Sequence, residues 1–465
     1  MTNDMHVEPL SPLDLLMPAT YIRMLLTFDT SAPSTSFKER LQRGLDITSR
    51  RFPYLCGRVF PTSPTSGAKP SLEVRWSQAS DSPTLVDIGP ITESYDSLSA
   101  GGMQPASLPP HIWPTVDATC GDSGAPVFAA SFFRFSDNKG LGLCLCMHHN
   151  VTDAAGLTDI IRFWVQAMAE SNPPSLSPAV GRCARLEEKL SRQLDSLSST
   201  SLDELFAAHP EYSRAPPAMP SEFPTNACKL YSVPLSRIQA IREELDSYAE
   251  GEKLTTNTLL CAMLWASITR ARLQRKSERP SEATSRLVMA VDGRQRIDPE
   301  FSKPESMYVG NTILYALSGV STTDLSETNH QDSPRAIAAV CRAITASYAP
   351  ERIDSRSIAE VYSLVNKMGN YKGIFPGWDL FNSRDLTITS WANLDLHELD
   401  FGEGLGNPTF VRPPYTEADG VCIVLPRRRK ISANHVDEKV EVQVMLRKDD
   451  MALLEQDGFW RTLTQ

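Results

Sequence analysis

The sequence predicts an α/β protein of two domains, each built from a mixed sheet layered with helices. Its 465 residues exceed the roughly 250–300 at which a single hydrophobic core stops growing. Strand-like and helix-like hydrophobic patterns occur in both halves, which indicates α/β or α+β layering. A stretch dense in serine and proline separates them. We therefore expect an N-terminal domain over 1–180, a crossover segment over 181–224 and a C-terminal domain over 225–465.

In the N-terminal half, hydrophobic periodicity predicts a strand, a helix, a hairpin and a second helix. The predicted elements are a loop over 10–18, a strand over 21–28, a helix from Phe37 that ends before 52–53, loops over 61–70 and 97–126, strands over 127–135 and 141–148, and a helix over 154–169. The last helix carries an apolar stripe at the spacing of one helix face. The stripe consists of Leu157, Ile160, Ile161, Trp164 and Met168.

Composition changes after this helix. Residues 171–178 contain three prolines, and 195–224 is rich in serine and proline with one short helical patch. A helix is expected to start at Arg335, after Asp-Ser-Pro at 332–334. Strands are predicted over 286–291, 385–391, 420–425 and 439–446, and the last alternates cleanly between apolar and polar residues.

Charge and composition exclude several classes of function. A net charge of −10 argues against a nucleic-acid binder, which usually has a basic surplus. No segment approaches the ~20 apolar residues of a membrane span, and the acidic N-terminus lacks the apolar core of a secretory signal. Nine scattered cysteines fit reduced thiols in the cytoplasm. The basic cluster at 427–430 is either a solvated loop, which we favour, or a phosphate contact.

The segment LGLCLCMHHNVTDAAG at 141–156 carries the candidate chemistry. Alternation along a strand places His148 and His149 on opposite faces, so one histidine faces any given pocket. Asp153 lies where a carboxylate caps the free N–H groups of the next helix.

The residues alone leave four interpretations of this segment open. His149 is either a satisfied core histidine or a general base, because imidazole exchanges protons near neutral pH. A metal site formed by His148, His149 and Asp153 is disfavoured by the opposite faces of the two histidines and the lack of a further ligand cluster. A nucleophile at Cys144 or Cys146 is disfavoured because both thiols lie mid-strand among apolar residues.

Several motifs together resemble the BAHD superfamily of acyl-CoA-dependent acyltransferases, in particular its fungal branch, which includes trichothecene acetyltransferases. The pair HHNVTDA at 148–154 and DFGEG at 400–404 carries most of the resemblance. Similar segments are LSPLD at 10–14, RFPYLCGR at 51–58, TNTLLCAMLW at 256–265, VDGRQR at 291–296, YVGN at 308–311 and TSW at 389–391. One departure is Glu403, where plant members carry tryptophan.

The resemblance implies two domains like chloramphenicol acetyltransferase, with a solvent channel between them and His149 midway along it. It implies acyl-CoA, most simply acetyl-CoA, as co-substrate, and no metal. Asp153 then forms a structural ion pair with an arginine, and Asp400, in the same motif as Gly402, pairs with Arg294. The remaining implied site residues are Trp391 and Asn393 as oxyanion donors, and Thr389, Ser390, Trp391 and Arg427 as contacts to the cofactor.

The function expected from this resemblance is transfer of an acyl group to a hydroxyl or amine of a small secondary metabolite by a monomeric enzyme. Loops 97–126 and 371–384 are expected to line the pocket. Three rivals are a condensation-type domain that uses a carrier-protein thioester, a channel that cyclises or condenses a pathway intermediate, and a binding protein without activity. The intact motif pair disfavours the last of these.

Overall fold

The fold is known from a computed structural model, which describes residues 5–31, 34–62, 69–77, 82–169, 179–248, 251, 254–275, 283–327, 333–381, 383–429 and 438–464. The predicted loop over 61–70 lies mostly outside these residues, as do the proline-rich stretch 171–178 and Lys430 of the basic cluster.

Strands and helices occur throughout the described chain. The strands are β1 (Met5–Pro9), β2 (Tyr21–Asp29), β3 (Arg58–Pro61), β4 (Leu72–Ser77), β5 (Leu85–Pro90), β6 (Ala125–Pro126), β7 (Phe128–Arg134), β8 (Gly140–His148), β9 (Tyr212–Ser213), β10 (Asn226–Pro234), β11 (Thr284–Asp292), β12 (Ile313–Ser321), β13 (Phe375–Pro376), β14 (Leu386–Ser390), β15 (Phe410–Arg412), β16 (Val421–Val424) and β17 (Lys439–Arg447). The helices are α1 (Pro12–Leu15), α2 (Ser34–Arg51), α3 (Tyr95–Ala100), α4 (Ala154–Ala169), α5 (Arg182–Ser196), α6 (Leu202–Ala208), α7 (Leu235–Leu245), α8 (Thr256–Gln274), α9 (Arg294–Ile297), α10 (Thr322–Glu327), α11 (Ser333–Ser347), α12 (Ser355–Lys367), α13 (Lys448–Leu454) and α14 (Gly458–Thr464).

The N-terminal half is organised around a five-stranded sheet in the order β15-β2-β8-β7-β5. Strand β8 is its centre, and all nine of its residues are buried, as its unbroken apolar composition requires. A Cβ at Gly142 would overlap the ring of Phe133 on the paired strand β7, so glycine leaves room for that ring. Both strands of the predicted hairpin are confirmed within one residue.

Helices α2 and α4 pack together against one face of this sheet. The apolar stripe of α4 joins the same core as β2 and β8, and its limits are those predicted. The helix begins after Asp153, whose Oδ1 accepts the N–H of Gly156 at 2.9 Å. A second, four-stranded sheet, β1-β4-β3-β6, lies beside this core.

The C-terminal half contains a six-stranded mixed sheet in the order β10-β17-β16-β14-β11-β12. All four strands predicted from the sequence belong to it. Helix α8 packs on this sheet and is buried over most of its length. Residues 259–266 are apolar on every face, and the buried Arg270 and Arg272 that follow are neutralised by ion pairs. The mixed α/β class is confirmed.

The two halves are interlocked by β15, which leaves the C-terminal half and pairs with Leu25–Thr27 of β2. The domain boundaries at 180 and 224 remain a prediction. The crossover segment between them contains α5, α6 and β9. The loop predicted over 10–18 is wrong in part, because Ser11 and Asp14 form a capping box that starts α1. In the described part of the chain, the helices are all too short or too polar to cross a membrane.

Candidate active site

A cavity of about 1580 Å³ lies between the two halves of the protein. Its walls come from the start of β2, the turn after β8 and the first turns of α4 on one side, and from β11, β14 and β16 on the other. A volume of this size exceeds that of ordinary small-molecule pockets, which are about 300–1,000 Å³. It therefore has room for two substrates together.

His149 reaches this cavity from the turn that follows β8. Its backbone N–H donates to the carbonyl of Thr20 at 2.8 Å, and its carbonyl accepts from Asn311 Nδ2 at 2.8 Å. Ring atom Nδ1 is buried and has no hydrogen-bond partner among the described residues. Burial lowers the pKa of His149, although its own backbone and the charge of Asp153 oppose this shift. The neutral ring is therefore the form present near pH 7.

His148 points to the opposite side of the sheet, as predicted. Its Nε2 lies 3.3 Å from the carbonyl oxygen of Ala118, and its ring meets Tyr21 edge-on at 5.3 Å. Burial lowers the pKa of His148 to about 4. The described residues hold no group of three histidine, cysteine or acidic side chains arranged to bind a metal ion.

The two mid-strand cysteines lie away from the cavity. Cys144 and Cys146 are fully buried in the apolar cluster on the His148 side of the sheet. Burial raises the pKa of both thiols, that of Cys146 to about 12. Thiols of this kind stay protonated and inert at neutral pH.

Asp153 is held in a buried ion pair with Arg294. Its Oδ1 accepts from Arg294 Nη2 at 2.9 Å, and its Oδ2 accepts from Nη1 at 3.0 Å. The same guanidinium donates to Asp292 Oδ1 at 2.9 Å and to the carbonyl of Tyr308 at 2.7 Å. Every oxygen of Asp153 is therefore committed to the helix cap or to arginine, so this carboxylate is positioned to hold the turn that carries His149.

The expected pairing of Asp400 with Arg294 is wrong, because Arg294 is already bound by Asp153 and Asp292. Asp400 is exposed, and its Oδ1 accepts the N–H of Gly402 at 2.9 Å. Gly402 has a φ of +83°, which favours glycine, and the DFGEG turn is held by Arg40, whose guanidinium donates to the carbonyl of Phe401 at 3.0 Å. Glu403 is exposed.

Sequence reasoning gave no role to Asp14 and Asn311. Asp14 is completely buried, and its Oδ1 accepts both the backbone N–H and the Nδ2–H of Asn311, at 2.9 and 2.8 Å. Arg182 Nη1 lies 3.4 Å from Asp14 Oδ2 and donates to the carbonyl of Val151 at 2.8 Å. Asp14 belongs to the LSPLD motif and Asn311 to the YVGN motif. Neither motif indicates that the two side chains meet beside His149.

The residues proposed to contact the cofactor all line the cavity: Thr389, Ser390, Trp391 and Arg427. Asn393 lies there too, and its Oδ1 accepts from Arg429 at 3.1 Å. The backbone N–H of Trp391 donates to the carbonyl of Val424 at 2.8 Å, so only its indole is left as a donor. Arg427 lies 3.4 Å from Glu438, and the neighbouring Arg428 and Arg429 are exposed.

The two loops expected to line the pocket do not reach this cavity. Described residues of 97–126 and 371–384 are absent from its walls. The first loop instead covers the far face of the N-terminal sheet, where Met103, Ile112 and Trp113 pack. In the second loop, Trp378 packs against Tyr315, with ring centroids 5.3 Å apart. Tyr315 lines the cavity, whereas Trp378 does not.

Sequence comparison identifies the family. Residues 106–459 match the model of the Transferase family, and this matched segment spans more than half of the chain. The chain belongs to this family, the BAHD acyltransferases. It is an acyl-CoA-dependent acyltransferase, as the motifs predicted.

Individual relatives and solved structures agree with this assignment. The acyltransferase is 28% identical to trichothecene 8-O-acetyltransferase of Fusarium sporotrichioides, over 97% of this chain and 96% of the relative. It is 23% identical to the O-acetyltransferase ptmV of Penicillium ochrochloron, over 98% and 96%. The crystal structure of F. sporotrichioides TRI101 with coenzyme A and T-2 has the same fold, with a TM-score of 0.79, 17% identity and coverage of 98% and 99%.

Proposed function

We propose that this acyltransferase moves an acetyl group from acetyl-CoA to a hydroxyl or amine of a small secondary metabolite, with His149 as general base in a ternary complex. One observation carries this proposal: a largely neutral imidazole lines the cavity between the two halves while its Nδ1 is buried. Nε2 is the ring nitrogen left to meet a substrate. A base held at one point in a cavity with room for two substrates suits direct transfer between them.

The reaction moves one proton in a circuit. Nε2 takes the proton from the acceptor hydroxyl or amine while that atom attacks the thioester carbonyl, which gives a tetrahedral oxyanion. The carbonyl re-forms as the carbon–sulfur bond breaks, and the imidazolium returns the proton to the CoA thiolate. A positioned base of this kind contributes about 10²–10⁴-fold in rate. Because the acyl group passes directly to the acceptor, the enzyme needs no covalent intermediate.

Charge on the oxyanion needs a donor. The Trp391 indole and the Asn393 amide are the proposed donors, since both residues line the cavity and hydrogen bonds already engage the Trp391 amide and the Asn393 oxygen. Thr389 and Ser390 are proposed to contact the pantetheine arm. Arg427 is proposed to meet a phosphate of CoA, because its contact with Glu438 is long and leaves other donors available.

The choice of the acetyl group rests on the relatives. Both fungal relatives are named as O-acetyltransferases, one of them acting on a trichothecene. TRI101 was crystallised with coenzyme A and T-2 together, which supports simultaneous binding in a cavity of this type. We further propose a monomeric, cytoplasmic enzyme, and size-exclusion chromatography with light scattering tests the first point.

Thiol release from acetyl-CoA, screened against secondary-metabolite alcohols and amines, tests the proposal. His149→Ala is expected to stay folded and lose at least about 10²-fold in turnover. His148→Gln is the matched control, because it alters the adjacent histidine on the opposite face and is expected to retain turnover. Wild-type turnover by folded His149→Ala contradicts the assigned base.

Product mass separates the rival reactions. Acetyl transfer raises the mass of the acceptor by one acetyl group, whereas cyclisation leaves the mass unchanged. Turnover only with a carrier-protein thioester indicates a condensation-type enzyme. Intersecting double-reciprocal plots are expected for a ternary complex, and parallel plots contradict it.

A further inference from the structure

The side chain of Asn311 contacts the backbone of His149, the candidate base. Asn311 lies just before β12 and is completely buried. Its Nδ2 donates to Asp14 Oδ1 at 2.8 Å and to the backbone carbonyl of His149 at 2.8 Å. Two acceptors on one side of the amide fix its orientation, because only the NH₂ end can serve both. Asn311 Oδ1 is therefore left on the other side.

Two complementary atoms lack partners at this point. Asn311 Oδ1 and His149 Nδ1 are both buried, and neither has a hydrogen bond among the described residues. Leaving a buried polar atom unpaired costs about 1–3 kcal/mol. One residue offers an acceptor, the other has a ring nitrogen that can donate, and a 2.8 Å hydrogen bond already joins the two residues. Against the effect of burial, the pKa of His149 is raised first by its own backbone, then by the charge of Asp153, and then by the Asn311 side chain.

We propose that Asn311 is the positioning residue of His149, and that its Oδ1 accepts the Nδ1–H of the imidazole in the reacting complex. This inference rests on the proposed role of His149 as a base. A hydrogen bond at Nδ1 keeps that proton in place, so the lone pair of Nε2 faces the substrate. Catalytic hydrogen bonds are often long before substrates bind and tighten in the complex. Asp14 supports the arrangement, because its Oδ1 accepts one hydrogen bond from the Asn311 side-chain amide and another from the Asn311 backbone N–H.

Asn150 supplies a matched control within the same region. It is also a buried asparagine with an unpartnered Oδ1, and its Nδ2 donates to the carbonyls of Asp14 and Met17 at 2.8 and 2.7 Å. Its side-chain hydrogen bonds go to the α1 region and leave the His149 ring untouched. Asn311→Leu and Asn150→Leu thus remove two comparable buried amides, only one of which bonds to His149.

The test compares the kinetics of these two variants. Asn311→Leu is expected to lower kcat by about 10- to 100-fold, by analogy with groups that orient metal-bound histidines, with KM for acetyl-CoA little changed. Asn150→Leu is expected to lower the melting temperature comparably while kcat stays within about threefold of wild type. Equal losses of kcat in both variants, or a wild-type kcat in Asn311→Leu, overturn the proposal.

A histidine-selective ¹⁵N spectrum can still overturn the proposal if Asn311→Leu fails to fold. The His149 signals are assigned by their loss in His149→Ala. In the wild-type protein we expect the tautomer protonated at Nδ1, and a wild-type ring protonated at Nε2 overturns the proposal. If His149→Ala is inactive while Asn311→Leu is not, only the positioning role fails. If His149→Ala is active, the proposed base itself fails.

Discussion

Arg294 and Asp153 form a bidentate ion pair across the two halves of the protein, with N–O distances of 2.9 and 3.0 Å. Both side chains are almost fully buried, with 2% and 1% of their surfaces exposed. The pair joins the start of α4, directly after the His149 turn, to α9 of the C-terminal half. Its position makes it a structural link between the halves close to the candidate base.

Asp153→Asn is expected to lower the free energy of unfolding by about 3–5 kcal/mol, because it leaves a buried guanidinium only partly compensated by Asp292. The asparagine oxygen can still cap α4, so the loss should come from the charge. Urea denaturation of the purified protein measures the effect.

Asp159→Asn is the matched control for this change. Asp159 lies on α4 as well, but its partner Arg162 is one-third exposed and also bonds to Asp395. Asp159→Asn is therefore expected to lower the free energy of unfolding by less than about 1 kcal/mol. If Asp153→Asn keeps wild-type stability but loses all turnover, Asp153 has a chemical role that the ion pair does not explain.

Local sequence signals were sufficient to predict the secondary structure on either side of His149. The alternation along β8 separates the two histidines, and the apolar stripe of 154–169 defines α4 to the residue. Asp153 as a helix cap was also predictable, because a cap depends only on neighbours three positions away. These features are local, and the chain specifies them within a few residues.

Long-range contacts were not predictable in the same way. Arg294 lies 141 positions from Asp153, and Asn311 lies 297 positions from Asp14. Nothing in the spacing of VDGRQR or DFGEG indicates which aspartate the arginine meets, so Arg294 was wrongly assigned to Asp400. Likewise, the composition of 97–126 indicates a loop but not the sheet face on which it packs.

The buried thiols lead to a second prediction. The double variant Cys144→Ala, Cys146→Ala is expected to retain turnover, because both thiols are protonated and lie on the face opposite His149. The loss of two buried sulfurs should lower stability modestly. Intact-protein mass spectrometry after incubation with acetyl-CoA should show no acetylated wild-type enzyme. A thioester at either cysteine would instead establish a ping-pong route.

The DFGEG turn is expected to affect stability rather than chemistry. Gly402→Ala places a Cβ on a residue with a φ of +83° and should cost roughly 1–2 kcal/mol. Gly369→Ala is the control, since a Cβ there meets no atom within 4 Å and its φ is ordinary. Chemical denaturation and kcat are measured for both variants. A large loss of kcat in folded Gly402→Ala would indicate that the turn acts on the cavity, whose walls it does not form.

The pH dependence of turnover tests the state of His149. A base must be unprotonated, and burial lowers the pKa of this ring below its ordinary value of about 6.5. The acid limb of the kcat/KM profile is therefore expected to have its midpoint below pH 6.5, with activity retained as pH falls through that value. An acid limb centred above pH 6.5 contradicts a desolvated neutral base at this position.

A separate histidine links the crossover segment to α12 and should make stability depend on pH. His209 Nδ1 lies 2.8 Å from Glu211 and its Nε2 lies 3.2 Å from Glu360, which Arg356 also contacts at 3.0 Å. Burial lowers the pKa of His209, but the bonds and charges of the two carboxylates outweigh this effect and raise it above its ordinary value. The folded state thus binds this proton more tightly than the unfolded state.

His209→Gln is expected to lower the free energy of unfolding by roughly 1–3 kcal/mol at pH 6, where the wild-type imidazolium is bound by both carboxylates. The stabilisation from a raised pKa is complete below the unfolded value of about 6.5 and is lost as pH rises through the folded value. The difference between variant and wild type should therefore shrink toward pH 9. His111→Gln, at an exposed histidine, should show little difference at any pH. If the His209→Gln difference stays constant from pH 6 to pH 9, this histidine is held by neutral packing and not by its charge.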